Sequence, residues 1–128
     1  MSKTATDVRY SADHLWIHDD GGSVTIGITE KLSRILTWVH TVALPPPGTS
    51  LNQGDELAAI DSQKADISIP APTALLVQAV NDALSTEPML VRMDPRGRGW
   101  LLTAKLARSD WESLLDPAEY EALLKAEQ

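Results

Sequence analysis

Leu57-Ala58-Ala59-Ile60-Asp61-Ser62-Gln63-Lys64-Ala65-Asp66-Ile67-Ser68-Ile69 is the stretch that decides the fold. Leu57 to Asp61 reads as a strand, Ser62-Gln63-Lys64 as a short break, and Ala65 to Ile69 as a returning strand with Ile67 and Ile69 on one face. Gly54-Asp55 supplies a turn before the first strand, and Pro70 and Pro72 end the second. These residues predict a hairpin whose tip carries Lys64.

The flanking sequence repeats this grammar. Upstream, Tyr10 to His18 carries Leu15 and Ile17 among polar residues, Asp19-Asp20-Gly21-Gly22 has turn chemistry, and Ser23 to Ile28 alternates again, which predicts a first hairpin. Thr29 is a candidate cap for a helix of two turns or slightly more, with Leu32, Ile35 and Leu36 at helical spacing, before Trp38-Val39 resumes an extended pattern. Pro45-Pro46-Pro47-Gly48 removes three backbone donors and predicts a surface loop or sheet margin. Downstream, Ala74 to Val80 predicts a strand, Asn81-Asp82 a turn, Met93 to Gly99 a loop, and Trp100 to Leu106 a strand that closes the sheet. Ser109 with Glu112 and Asp116 with Glu119 form two capping-box patterns, the second with Pro117 at the first helical position, so two short helices should end the chain. Tyr120, Leu123 and Leu124 would share one side of the last helix. The fold class is therefore mainly β with terminal helices, a sandwich or barrel. Its extent is a single domain over 1–128, with a β body over about 10–106 and helices over 109–125, and two hairpin-bearing halves could be related by a pseudo-twofold.

The 128 residues suffice for one core. Hydrophobic and charged contents of 43% and 23% are globular values, and no apolar run approaches the roughly 20 residues of a membrane helix. The leading residues lack the apolar stretch of a secretory signal, which predicts a cytoplasmic protein without a membrane partner. A net charge of -7 argues against nucleic acid as a partner and favours basic protein surfaces. The absence of cysteine excludes disulfides, thiolate metal sites and a cysteine nucleophile. Any thiol chemistry must arrive on an attached group.

Most chemistry-bearing residues fall short of a site. On the expected strand His14 and His18 share a face but stand about 13 Å apart, too far to chelate one ion. His40 has no evident metal-ligand neighbour. Arg96-Gly97-Arg98-Gly99 lacks the strand-turn-helix setting and third glycine of a dinucleotide site, and reads as a loop whose arginines, with Arg92, could form a small basic patch. No Gly-x-Ser-x-Gly elbow presents a serine, and the carboxylates form no recognisable catalytic pair. Lys64 remains. A hairpin lysine alone is usually a solubilising charge, but this one would sit on a tight turn over rigid strands, where a modifying enzyme can reach the amine. An arm attached there could swing between other enzymes' active sites at high local concentration.

Asp61-Ser62-Gln63-Lys64-Ala65 resembles the Glu-Ser-Val-Lys-Ala signature around the lipoyl lysine of glycine-cleavage H proteins. Tyr10 through Trp16, Thr25-Ile26-Gly27-Ile28-Thr29, Leu44-Pro45 with Gly48-Thr49, Gly54-Asp55-Glu56, Asn81 with Ala83-Leu84, Glu87-Pro88, and Asp94-Pro95 with Gly97 and Gly99-Trp100-Leu101 also follow the family's order and spacing. The resemblance runs from about Tyr10 to Leu124. It implies the lipoyl/biotinyl-type hammerhead, a flattened β-barrel or sandwich with terminal helices. It also implies lipoate attached covalently to Lys64 by a lipoate-protein ligase or lipoyl transferase, with Asp61, Ser62, Gln63 and Ala65 as the surrounding recognition motif. The dithiolane would supply redox sulfurs, and the chain would be a carrier that catalyses nothing alone. In glycine cleavage such an arm accepts an aminomethyl group from glycine decarboxylase, passes it to the aminomethyltransferase and is reoxidised by dihydrolipoyl dehydrogenase.

The chain departs from the family pattern at several positions. Asp61 stands for Glu, Gln63 for a small apolar residue, Thr37-Trp38 for Gly-Asp, Leu15 for a charged residue, and Ala71 and Leu75 for the Ser and Gly of a turn. Leu15 and Trp38 could be core or a new partner patch. These departures rank first an H-protein-like lipoate-binding carrier serving a heterodisulfide-reductase-like complex in sulfur oxidation, with dihydrolipoyl dehydrogenase. Glycine cleavage comes second, and an unmodified interaction domain third. A biotin carrier fits poorly, since Gln63 and Ala65 stand where methionines normally flank the lysine.

Overall fold

The computed structural model describes residues 7–127, and the expectation placed on the leading residues falls largely outside it. Nine strands and five helices follow one another along the described chain: β1 (Val8–Tyr10), β2 (Leu15–Asp19), β3 (Val24–Ile28), α1 (Glu30–Ser33), β4 (Val39–Ala43), β5 (Ser50–Leu51), β6 (Glu56–Ser62), β7 (Asp66–Pro70), β8 (Leu75–Val80), α2 (Ala83–Thr86), α3 (Leu90–Met93), β9 (Leu102–Lys105), α4 (Arg108–Glu112) and α5 (Pro117–Ala126). One antiparallel sheet runs β1-β2-β3-β9-β8-β5 and a smaller one β4-β6-β7. The alternating strands bury one face of each sheet in a shared core: Leu15, Ile17, Ile26, Ile28, Val77, Leu102 and Ala104 from the first meet Leu57, Ile60 and Ile69 from the second. The expected sandwich of short strands is present. Among the described residues no helix is long and apolar enough to cross a membrane.

Both expected hairpins form, β2–β3 and β6–β7. Several boundaries differ. The stretch from Tyr10 to His18 is two strands, because Ser11 closes a turn: His14 N–H donates to the Ser11 carbonyl at 3.1 Å and Leu15 N–H to Ser11 Oγ at 3.3 Å. His14 lies in that turn with φ of 70°, outside β2, so it does not share a strand face with His18. The residues from Trp100 to Leu106 yield β9, which occupies the sheet's interior between β3 and β8. Leu15 is wholly buried and belongs to the core, whereas Trp38 is 59% exposed.

Helix α1 is a single turn instead of two. After Arg34 its backbone bonds tighten to three-residue spacing, Ile35 to Leu32 and Leu36 to Ser33, which ends the α-helix and leaves Ile35 exposed. Thr29 occupies the N-cap without capping through its side chain, since its hydroxyl is 2.7 Å from the Tyr120 hydroxyl. The Asp116–Glu119 capping box forms as expected, with Pro117 at N1. The Ser109–Glu112 box does not: α4 starts at Arg108 behind Ala107, and Trp111 N–H closes on the Ala107 carbonyl at 3.0 Å while its indole is buried. Burial of a tryptophan outweighs one cap bond of about 1 kcal/mol. Helices α2 and α3, which periodicity did not indicate, are single turns.

Two contacts fix the frame around the sheet. Trp16 lies on the face away from the core and donates its Nε1–H to the Pro95 carbonyl at 3.1 Å. A Cβ at Gly27 would stand 2.5 Å from that indole, so only glycine fits opposite Trp16. On the other flank Tyr120 of α5 stacks on Tyr10 with ring centroids 4.4 Å apart, and its hydroxyl is 2.9 Å from His14 Nδ1. Tyr120 is buried on that side, while Leu123 and Leu124 are half-buried.

Candidate cofactor-attachment site

The β6–β7 ladder pairs Ala59 with Ser68, Ile60 with Ile67 and Asp61 with Asp66, leaving Ser62 to Ala65 to close the turn. Ile60 anchors this end of the hairpin in the core at 1% exposure. Ser62, itself buried, turns the chain by donating both its N–H, at 2.9 Å, and its hydroxyl, at 2.7 Å, to the Ala65 carbonyl. Gln63 N–H donates to the Trp38 carbonyl at 2.8 Å, which ties the tip to the start of β4. The backbone of the tip is thus held from two directions. Its side chains are not: Gln63 and Lys64 are exposed, and among the described residues the Lys64 amine has no ion-pair partner. The structure brings Asp61, Ser62, Gln63, Lys64 and Ala65 together on one turn.

Two further residues complete the surroundings, Asp66, which the sequence signature does not include, and His40, which the sequence left without a role. Asp66 faces Asp61 across the ladder, and Lys64 lies three residues after Asp61 and two before Asp66, so the two carboxylates flank the turn that carries the amine. Hydrogen bonding to Asp61 and its charge push the Asp66 carboxyl above its ordinary 3.8, while His40 pulls the other way. His40 reaches this position through a bulge, since β4 advances two residues, Val39 to Thr41, while β6 moves one, Ser62 to Asp61. The signal for Asp66 was available: once the turn is set at Ser62–Ala65, residues 61 and 66 must oppose each other. The bulge left no mark in the sequence.

Beside the tip, Trp38, Val39, His40, Pro88, Met89 and Met93 line an open groove of about 460 Å³. Val39 N–H approaches Met89 Sδ at 3.1 Å, so the groove floor is continuous with β4. The other candidates disperse. His18 is bound to Asp20 at 2.6 Å, and His14 is 3.3 Å from Glu127. Among the described residues no cluster of three or more His, Asp or Glu could hold a metal. The arginines of the expected basic patch are engaged within the chain: Arg96 forms a fork with Glu30 at 2.9 and 3.0 Å, Arg92 donates to the Leu36 carbonyl, and Arg98 stands 3.8 Å from Glu87. No catalytic constellation surrounds Lys64, so the tip can display an acylated amine but has no groups arranged to act on a substrate.

A free, exposed amine on a fixed turn fits an amide-linked cofactor. Comparison with known proteins points the same way. The family model described as glycine cleavage H-protein matches residues 8–127. The glycine cleavage system H protein of Cronobacter sakazakii is 40% identical over 129 aligned positions, covering 99% of this chain and all of that protein, and its counterpart from Escherichia coli O9:H4 matches to the same extent. The crystal structure of a glycine cleavage system H protein from Mycobacterium marinum superposes with a TM-score of 0.79 at 29% identity, over 94% of this chain and 98% of that one. These relatives carry the glycine-cleavage name, and none of them points to the sulfur-oxidation setting ranked first from the sequence departures.

Proposed function

The chain belongs to the glycine cleavage H-protein family, whose members are non-catalytic lipoyl carriers, and from that premise we propose that Lys64 is its lipoyl-attachment residue. The observation that supports the reading most is the combination of a core-anchored hairpin with an unpaired, exposed lysine at its tip. When bound, the lipoyl dithiolane supplies the redox-active sulfur pair that this cysteine-free chain lacks.

The chain's own residues bind and orient. Ser62 closes the turn, and the bond from Gln63 N–H to the Trp38 carbonyl fixes the base of the arm. Only the Lys64 side chain and its acyl extension then need to move between clients, which raises the arm's effective concentration at each. Asp61, Ser62, Gln63 and Ala65 form the face read by a lipoate-protein ligase or lipoyl transferase. The clients are glycine decarboxylase, the aminomethyltransferase and dihydrolipoyl dehydrogenase, in the cytoplasm, and exposed Trp38 beside the tip is the side chain best placed to meet them. The glycine-cleavage names of the relatives favour these clients over a heterodisulfide-reductase-like complex.

Peptide-level mass spectrometry of the protein from its native host tests the reading. A lipoyl adduct on Lys64 is expected. Its reproducible absence from cells that lipoylate other proteins would replace the carrier by an unmodified interaction domain.

A further inference from the structure

The peptide group between Trp38 and Val39 is gripped at both ends. Its carbonyl accepts from Gln63 N–H at 2.8 Å, the bond that holds the hairpin tip, and its N–H donates to Met89 Sδ at 3.1 Å. A peptide unit is rigid and planar, so a movement imposed at its N–H also turns its carbonyl. Hydrogen bonds in series polarise one another, which couples the two contacts further. This peptide stands at the start of the β4–β6 ladder, with the bulge immediately after Val39. Sulfur is sparse in the chain: there is no cysteine, and the methionines are Met1, Met89 and Met93. Met89 and Met93 line the same open groove beside the tip. Met93 is 68% exposed, and its Sδ meets its neighbour Arg92 at 3.7 Å, outside the gripped peptide. Met89 is half-buried and packs against the core, which fixes its sulfur under Val39.

Resting on the reading of Lys64 as the lipoyl-bearing residue, we propose that Met89 is a sulfoxidation site through which hydrogen peroxide loosens the tip. The Sδ lone pair takes one peroxide oxygen: an S–O bond forms, the O–O bond breaks, and sulfur gives up two electrons. The proton of the transferred oxygen passes to the departing hydroxide, which leaves as water. The flexible apolar thioether becomes a polar sulfoxide, whose acceptor is the new oxygen and no longer the sulfur. Val39 N–H then gives up its acceptor or swings to follow the oxygen, and either movement turns the shared peptide away from Gln63. The residue before Lys64 loses its tether, the base of the arm gains freedom, and the arm's effective concentration at each client falls. A methionine sulfoxide reductase restores the thioether and the tether with it.

The test is a hydrogen peroxide titration of the purified full-length carrier, with oxidation mapped by peptide mass spectrometry and amide hydrogen exchange followed by NMR. Met89 should become the sulfoxide while the thermal transition persists. In Met93→Leu, which removes the other groove sulfur, oxidation should speed exchange of Gln63 N–H about tenfold, as expected for loss of one hydrogen bond. Amides of the β2–β3 hairpin should keep their rates, and methionine sulfoxide reductase should restore slow exchange at Gln63. Met89→Leu should show fast Gln63 exchange before peroxide and no further change after it. A Met89 that stays a thioether when Met93 is fully oxidised would overturn the proposal, and so would slow Gln63 exchange in the Met89 sulfoxide. Exchange that rises equally in both hairpins would overturn it too, because it reports general loosening. Lys64 found unmodified in the native host would withdraw the lipoyl arm, while the response of Gln63 would still decide whether Met89 controls the tip.

Discussion

The two hairpins share a register pattern and differ in what their tips do. Both turns carry one backbone closing bond, Asp20 N–H to the Ser23 carbonyl at 2.9 Å in β2–β3, but there the polar side chains of the tip are used as well: Gly21 N–H donates to Asp19 Oδ1 at 2.9 Å, and Asp20 holds both His18 and Thr25. In β6–β7 the closing bonds come from the backbone and the short, buried Ser62, while the long side chains at 61, 63, 64 and 66 stay outside the closure. A tip whose polar side chains are consumed internally serves as a structural end. A tip held by backbone and one hydroxyl can present whatever long side chain occupies it. The comparison teaches that display requires rigidity from atoms other than those displayed.

The sharpest way to break the comparison is Lys64→Arg. Modification should fall to nothing in a ligase assay while the melting temperature stays within error of the unchanged protein, because the guanidinium keeps the charge and makes no amide under these conditions. A lost thermal transition would show that Lys64 is part of the fold after all. In the structural hairpin, Gly27→Ala should destabilise by about 2 kcal/mol or more in urea unfolding, since the added Cβ must displace the Trp16 indole or the strand. It should not alter the rate at which folded molecules are lipoylated. Ser62→Ala removes the bond to the Ala65 carbonyl and should cost about 1 kcal/mol. Unlike Gly27→Ala, it should also slow acylation, because the turn that aims the amine loosens. Asp20→Ala should cost about 0.5 kcal/mol, with acylation unchanged.

The smallest effect separates the tip from the frame by pH. The hydrogen bond from Arg96 holds the Glu30 carboxyl below its ordinary 4.5, so that pair's contribution is complete above pH 4.5 and is lost as pH falls through the lowered value. After allowance for exposure it amounts to about 0.5 kcal/mol. Asp66 has the opposite sign: its pKa is raised by Asp61, so its contribution is complete below 3.8 and is lost as pH rises through the raised value. Stability curves between pH 3 and 6 should therefore lose an acid-side gain in Asp66→Asn and lose an acid-side decline in Glu30→Gln. Identical curves for the two variants would show that the carboxylates are not in distinct surroundings.

How much of this was legible follows from the range of the forces involved. Both hairpins, the proline loop and the Asp116 cap were readable because alternation, turn residues and caps act over a few positions. Lys64 was legible as a tip residue for the same reason, and as a candidate attachment site only through its resemblance to a family motif. Asp66 could be read from the register alone, since it lies one residue beyond the five-residue signature and opposite Asp61. His40 could not, since the β4 bulge arises from how β4 meets β6. The length of α1, the idle Thr29 cap and the start of α4 were misread where a distant partner intervened: Tyr120 takes the Thr29 hydroxyl across 91 residues, and Trp111 is buried.

The sequence by itself determined the strand and turn rhythm, the absence of thiol chemistry, and the placement of one lysine on a tight turn, because each depends on local sterics or on composition. The tertiary structure alone decided that Leu15 is core and Trp38 surface, that Asp61 and Asp66 stand opposed with His40 beside them, and that the arginines of the 96–99 loop are occupied. Those outcomes depend on which distant segments meet, and the burial and charge of a side chain are properties of that meeting.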